Sequence, residues 1–235
     1  YSFGDHHHPE ALTIITVAVN NSVVCYPLYK FGSDALRHRY LTPSAAGKIL
    51  GAFCLTEPHA GSDAGNIRTR AERDGSHYVI SGTKAWVTNA GQASIYLVFA
   101  VTDPAKGSRG ISAFVVEAGW PGVTIARMED KMGLRASATA MMSFDGVRVP
   151  QENMVGEEGQ GLRVALSALD AGRIGVAAQG VGIGQAALRE GDALLVEQRV
   201  GEHARQQVGH RLGRVARQAQ IQRLVHGAVD VGELD

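Results

Sequence analysis

Residues 77–88 read HYVISGTKAWVT and residues 94–102 read SIYLVFAVT. Both runs are rich in Val, Ile, Thr and aromatic residues, which suit a pleated, half-buried surface. The same composition recurs in ISAFVVEA (111–118), VTIARM (123–128) and TAMMSFDGVRVP (139–150). Turn formers separate these runs at Asp74-Gly75, Pro104 to Gly107, Pro121-Gly122 and Asp145-Gly146. Short strands at this spacing, without helices between them, predict an antiparallel β sandwich or barrel.

On either side the pattern is helical. Leu12, Ile15, Val19, Leu28 and Tyr29 suit helical faces, with Asn20 and Asn21 as an interruption. In GSDALRHRYLTP (32–43), Ser33 is placed to cap a helix, Asp34 favours its positive end, and Pro43 is expected just past its stop. In GLRVALSALDAGRIGVAAQGVGIGQAALRE (161–190), Leu162, Leu166, Leu169, Ile174, Ala177 and Val181 fall near one stripe, as in an amphipathic helix. Its glycines cost an isolated helix about 1 kcal/mol each, so they imply close packing or a backbone approached by a ligand. The class is therefore multi-domain α+β, with helical residues 1–50, a β domain at 51–157 and a helical segment at 158–235.

Composition narrows the function classes. The 235 residues carry a formal net charge of zero, which argues against a sequence-independent nucleic-acid binder. No apolar run approaches the roughly 20 residues of a membrane span, and the first residues show no signal-peptide pattern. Cys25 and Cys54 lie in apolar surroundings, so free buried thiols and a reducing compartment are expected. Adjacent His6, His7 and His8 point to different faces, so boundary sequence is expected there rather than a metal site. The stretch from Gly191 to Asp235 lacks Phe, Tyr, Trp, Lys, Pro, Ser, Thr, Asn, Met and Cys. It reads either as a basic amphipathic helix, with Val208, Leu212, Val215 and Ala219 as its stripe, or as a shifted reading frame.

Two stretches carry more than a corner needs. FCLTEPHAGSDAG (53–65) runs a small strand into a glycine-rich acidic turn, and GTKAWVTNAG (82–91) sets Trp86 and Thr88 two residues apart. Alone, a strand threonine reflects β propensity and a strand tryptophan is usually core.

Together these stretches, with VVCYPLYKFG, KGSRGISAFVVE, MEDKMGLRASATA, FDGVRVPQENMVGEEGQG and LDAGRIGVAAQGVGIGQAAL, resemble the acyl-CoA dehydrogenase family in the family's own order. Its short-chain, butyryl-type members are the nearest match. Asn66 departs from the small residue usual at the end of the first signature. The resemblance implies an N-terminal helical domain, of which 1–50 is the end, then a β domain, then a helical bundle only begun here. An FAD would lie between the last two. Phe53, Leu55, Thr56, Gly61, Ser62, Trp86, Val87 and Thr88 would line it, while Ser62, Asp170 and Arg173 would contact an acyl-CoA.

The residue types suit that role. A flavin taking hydride at N5 gains negative charge toward its pyrimidine end, so backbone N–H groups after Leu55 and the hydroxyls of Thr56 and Thr88 are apt donors. Trp86 offers a broad shielding face, and Gly61 and Ser62 let backbone approach pyrophosphate. Glu57 and Asp63 read as turn and cap partners, since carboxylates repel phosphate. The implied reaction is α,β-dehydrogenation of a short-chain, possibly branched, acyl-CoA. An electron-transfer flavoprotein would be the acceptor, the assembly a homotetramer, and the setting the bacterial cytoplasm or the mitochondrial matrix. The reaction also needs a general-base glutamate. Where some branches carry it this chain has Gly172, and the later Tyr-Glu-Gly-Thr segment of the short-chain branch is not found. No catalytic residue is therefore assigned, and an incomplete, inactive chain is expected. The alternative is a non-catalytic binding protein whose basic tail docks nucleic acid or a protein partner.

Overall fold

The structure, a computed structural model, describes residues 15–197, with side chains as far as 190. The tail readings from 191 onward, the His6–His8 run and Leu12 lie outside the described residues or side chains. The chain divides into two compact units, Tyr1–Ala178 and Gln179–Asp235.

The first unit opens with helical residues, 15–31 and then Asp34–Ala45. The asparagines do not interrupt this run. A wide π-type turn over Asn20–Cys25 absorbs them, and buried Asn20 accepts a hydrogen bond from the Gly51 amide at 2.9 Å. Ser33 caps as expected, its hydroxyl accepting from the Leu36 amide at 3.3 Å. Pro43 does not follow a stop. It sits in the first turn of Thr42–Ala45, a position where a missing N–H is tolerated.

Seven strands follow: β1 (Gly51–Cys54), β2 (Arg70–Asp74), β3 (His77–Thr88), β4 (Ile95–Val101), β5 (Ile111–Glu117), β6 (Val123–Met128) and β7 (Thr139–Pro150). They form one sheet in the order β1-β4-β2-β3-β7-β6, with β5 also paired to β4. The curled sheet matches the expected β architecture, and most of its ladders are antiparallel. It is nevertheless mixed, because β1 and β2 run parallel to β4.

β4 shows why these strands read as continuous apolar runs. Tyr96, Val98 and Ala100 face one core with Tyr78, Phe114 and Phe144. Ile95, Leu97 and Phe99 face the other core, with Leu28, Leu36 and Val164. Successive side chains alternate between faces, and here both faces are covered.

The helix Gly161–Glu197 docks on the sheet by its first turns. The expected stripe is its docking face only in part: Leu162 and Leu169 are half-buried against the core. Val164, Ala165 and Ala168 are buried, whereas Leu166, Ile174 and Val181 are exposed. Small residues win because the helix comes close: a Cβ on Gly161 would lie 2.6 Å from the Ser112 carbonyl carbon.

Candidate functional site

The site is an edge where two segments run side by side. After β1, Leu55 and Thr56 pass along the second half of β3. The Lys84 ammonium donates to the Leu55 carbonyl at 3.0 Å, and the Ala85 amide donates to the Thr56 carbonyl at 2.8 Å. In a trans peptide the N–H points opposite to the C=O. Pulling the Leu55 carbonyl toward Lys84 therefore turns the Thr56 N–H away from β3. That amide has no hydrogen-bond partner among the described residues.

Next comes Trp86. The pairing of β3 with β7 slips between Lys84 and Val87, a bulge that places one extra residue in β3. Trp86 takes a left-handed backbone, φ 58°, and is 60% exposed. Such a conformation in a bulky residue costs of order 1–3 kcal/mol and is characteristic of functional sites. Asn89 then ties down the end of the strand: its backbone is also left-handed, φ 70°, and its amide group donates to the Gly51 carbonyl at 3.1 Å.

Thr56, Trp86, Val87 and Thr88 are thus brought together. Leu55 and Val87 have buried side chains, so only their backbones are available to a ligand. Phe53 is half-buried against Phe99, with ring centroids 4.9 Å apart. Gly61 and Ser62 are exposed in the turn beyond the Glu57–Ala60 bridge. Asp63 makes no side-chain cap to the short helix Ala64–Asn66, contrary to the expected cap role.

Asp170 and Arg173 form an exposed ion pair on the long helix. Asp170 borders an open cavity of about 490 Å³ with Ser108, Arg109, Leu162 and Arg163. No hydrogen bond or ion pair among the described residues joins this pair to Ser62 or Thr56. Gly65, beyond Ser62 in the turn, approaches the cavity: its Cβ position lies 3.3 Å from the Ser108 Cβ and 3.9 Å from Leu162. Gly172, at the place considered for a base, faces Ser22 and Val23.

Sequence reasoning missed Lys84. Its side chain is fully buried and pairs with Glu57, itself only 3% exposed, at 2.8 Å. Glu57 also accepts from the Arg68 amide (2.7 Å), the Thr69 amide (2.9 Å) and the Thr69 hydroxyl (2.6 Å). Glu57 is thus a turn residue, as expected, and also the counter-ion of Lys84. Burial pushes its carboxyl up, but the Lys84 charge and these donors outweigh burial and hold it below its ordinary range. A signal existed. In strict alternation Lys84 is in phase with the inward Tyr78 and Ile80, and a buried lysine demands a carboxylate.

The described residues contain no cluster of three His, Cys, Asp or Glu side chains suited to a metal, and no helix long and apolar enough to cross a membrane. Cys25 and Cys54 are free and buried, and burial pushes the Cys54 thiol up to about 12.

Residues 52–147, from β1 into β7, match the family model described as acyl-CoA dehydrogenase, middle domain. A short-chain specific acyl-CoA dehydrogenase of Rattus norvegicus is 47% identical over 178 residues, 76% of this chain and 43% of the rat protein. The solved butyryl-CoA dehydrogenase of Megasphaera elsdenii superposes with a TM-score of 0.83 at 43% identity, over 93% of this chain and 58% of that one. A glutaryl-CoA dehydrogenase of Mycobacterium smegmatis, solved in complex with FADH2, gives 0.64 at 38% identity, over 69% of this chain and 40% of that one. The chain belongs to the acyl-CoA dehydrogenase family. It spans less than half the length of the rat relative.

Proposed function

We propose that this chain is the flavin-lining portion of an FAD-dependent acyl-CoA dehydrogenase acting on short-chain thioesters. The observation that carries the reading is Trp86, held exposed and left-handed beside the outward Thr56 N–H. Neither a folding rule nor core packing accounts for that pair.

The residues fit the cofactor. Thr56 supplies an unbonded N–H, and the hydroxyls of Thr56 and Thr88 have no partner among the described residues, so donors are available where negative charge would gather. The exposed indole offers an apolar wall. When bound, FAD would take up the hydride from the thioester's Cβ. Phe53, Leu55, Gly61 and Ser62 complete the lining, with Leu55 and Val87 contributing backbone only. Asp170 and Arg173, with Ser62, would hold the acyl-CoA beside it. Such polar groups fix a ligand's position, and position is a large part of rate enhancement.

The domain limits 1–50, 51–157 and 158–235 belong to this proposal, as do an electron-transfer flavoprotein acceptor, a homotetramer and a setting in the bacterial cytoplasm or mitochondrial matrix. So does the lack of a general base: Gly172 has no side chain to remove a proton, and Glu57 is committed to Lys84. The test is FAD retention. The purified chain, incubated with FAD and passed over a desalting column, should emerge yellow and show negligible butyryl-CoA oxidation. A colourless chain would refute the flavin reading, and brisk turnover would refute the missing base.

A further inference from the structure

We propose that the buried Lys84–Glu57 ion pair is a positioning device for the flavin, setting the Leu55–Thr56 peptide plane so that the Thr56 N–H is presented to the ligand. The inference rests on the flavin reading above and assigns roles to two residues that never touch the cofactor.

The geometry is specific. The Lys84 ammonium bridges two acceptors, the Leu55 carbonyl at 3.0 Å and Glu57 Oε1 at 2.8 Å. Glu57 is anchored independently, by the amides of Arg68 and Thr69 and the Thr69 hydroxyl. Thr69 in turn packs against Gly82 of β3, where a Cβ would come within 2.5 Å of its hydroxyl oxygen. The carboxylate is thus fixed from the far side, the ammonium is fixed by the carboxylate, and the Leu55 carbonyl is fixed by the ammonium. The peptide can present its N–H in only one direction. Lys84 is also the last residue paired with β7 before the bulge that carries Trp86, so the donor and the aromatic wall adjoin the same buried cation.

A buried pair is not needed for stability alone, because well-packed neutral residues often serve as well or better. Its retention beside a presented N–H is what a positioning role explains. A purely structural pair could move the Thr56 amide through the lost bond to the Leu55 carbonyl, but its removal from a folded chain would leave FAD affinity unchanged.

The test uses the whole chain and FAD as the probe. Lys84→Met alone strands a buried carboxylate and is expected to fold poorly, so the decisive variant is Lys84→Met/Glu57→Gln, which removes both charges at similar volume. Folding is checked by thermal melting and by dispersion of the amide spectrum. FAD is then titrated while the Thr56 ¹H–¹⁵N resonance is followed. In the parent, that resonance should shift on FAD addition. In the folded double variant it should already be displaced without FAD, and FAD should bind at least tenfold more weakly. A folded double variant with parental FAD affinity would overturn the proposal, whatever its Thr56 shift. A parent in which FAD moves no amide would overturn the flavin reading first, and this inference with it. A double variant too unstable to hold a fold would show the pair to be structural and would also overturn it.

Discussion

Lys84 and Glu57 illustrate how a single strand position links folding to chemistry. Removing one partner of a buried ion pair leaves an uncompensated charge and costs about 3–5 kcal/mol. Lys84→Met should therefore lower the stability of the chain by that order in urea unfolding, while Lys84→Met/Glu57→Gln, which strands no charge but leaves the Leu55 carbonyl without its donor, recovers part of it. The pair also predicts a pH dependence. The Glu57 carboxyl lies below its ordinary range in the folded chain, so its contribution is complete above the unfolded value of about 4.3. It is lost as pH falls through the lower folded value. Urea midpoints measured from pH 6 to pH 3 should fall more steeply for the parent than for the double variant; parallel curves would remove Glu57 from the account. Trp86 makes the converse case. Its side chain is mostly exposed and its backbone left-handed, a conformation glycine adopts without strain. Trp86→Gly should keep the melting behaviour of the parent, within about 1 kcal/mol, and weaken FAD binding. A large loss of stability would instead mark the indole as core.

At the scale of elements, much was legible and some was not. The strands of the middle domain were readable because β branching, aromatics and turn dipeptides act locally. The Ser33 cap was readable for the same reason. The parallel joins of β1 and β2 to β4 were not, since strand direction across a sheet is set by long-range packing rather than by local pattern. The bulge before Trp86 was also hidden. Strict alternation would turn Trp86 inward with Tyr78, Ile80 and Lys84, and one extra residue reverses it. The long helix misled in another way. Leucine spacing located Leu162 and Leu169, which pack on the core, but the fully buried positions are Val164, Ala165 and Ala168, and Gly161 lies against Ser112. Gly161→Val should therefore destabilise the chain by about 1–3 kcal/mol through overpacking, measured by chemical unfolding. Leu166→Ala, at an exposed position, should change it by less than about 0.5 kcal/mol. The reverse ranking would mean the helix docks by its leucine stripe after all.

Across the whole molecule, the two core clusters hold one curled sheet whose rim presents Thr56, Trp86 and Thr88 together. The family pattern pointed to these residues, and the structure supplies reasons for their geometry: a buried cation beneath, a bulge beside, and Asn89 clamping the strand end to Gly51. The proposed acyl-CoA contacts, Asp170 and Arg173, form an exposed ion pair on the helix, and Gly65 approaches Ser108 and Leu162, which border the cavity beside Asp170. The most direct measurement exploits the presence of just two tryptophans, Trp86 and Trp120. In a Trp120→Phe variant, all indole emission comes from Trp86. The account predicts that FAD quenches this emission saturably, at one flavin per chain. Emission unchanged by saturating FAD, or quenched only in linear, non-saturating fashion, would contradict it.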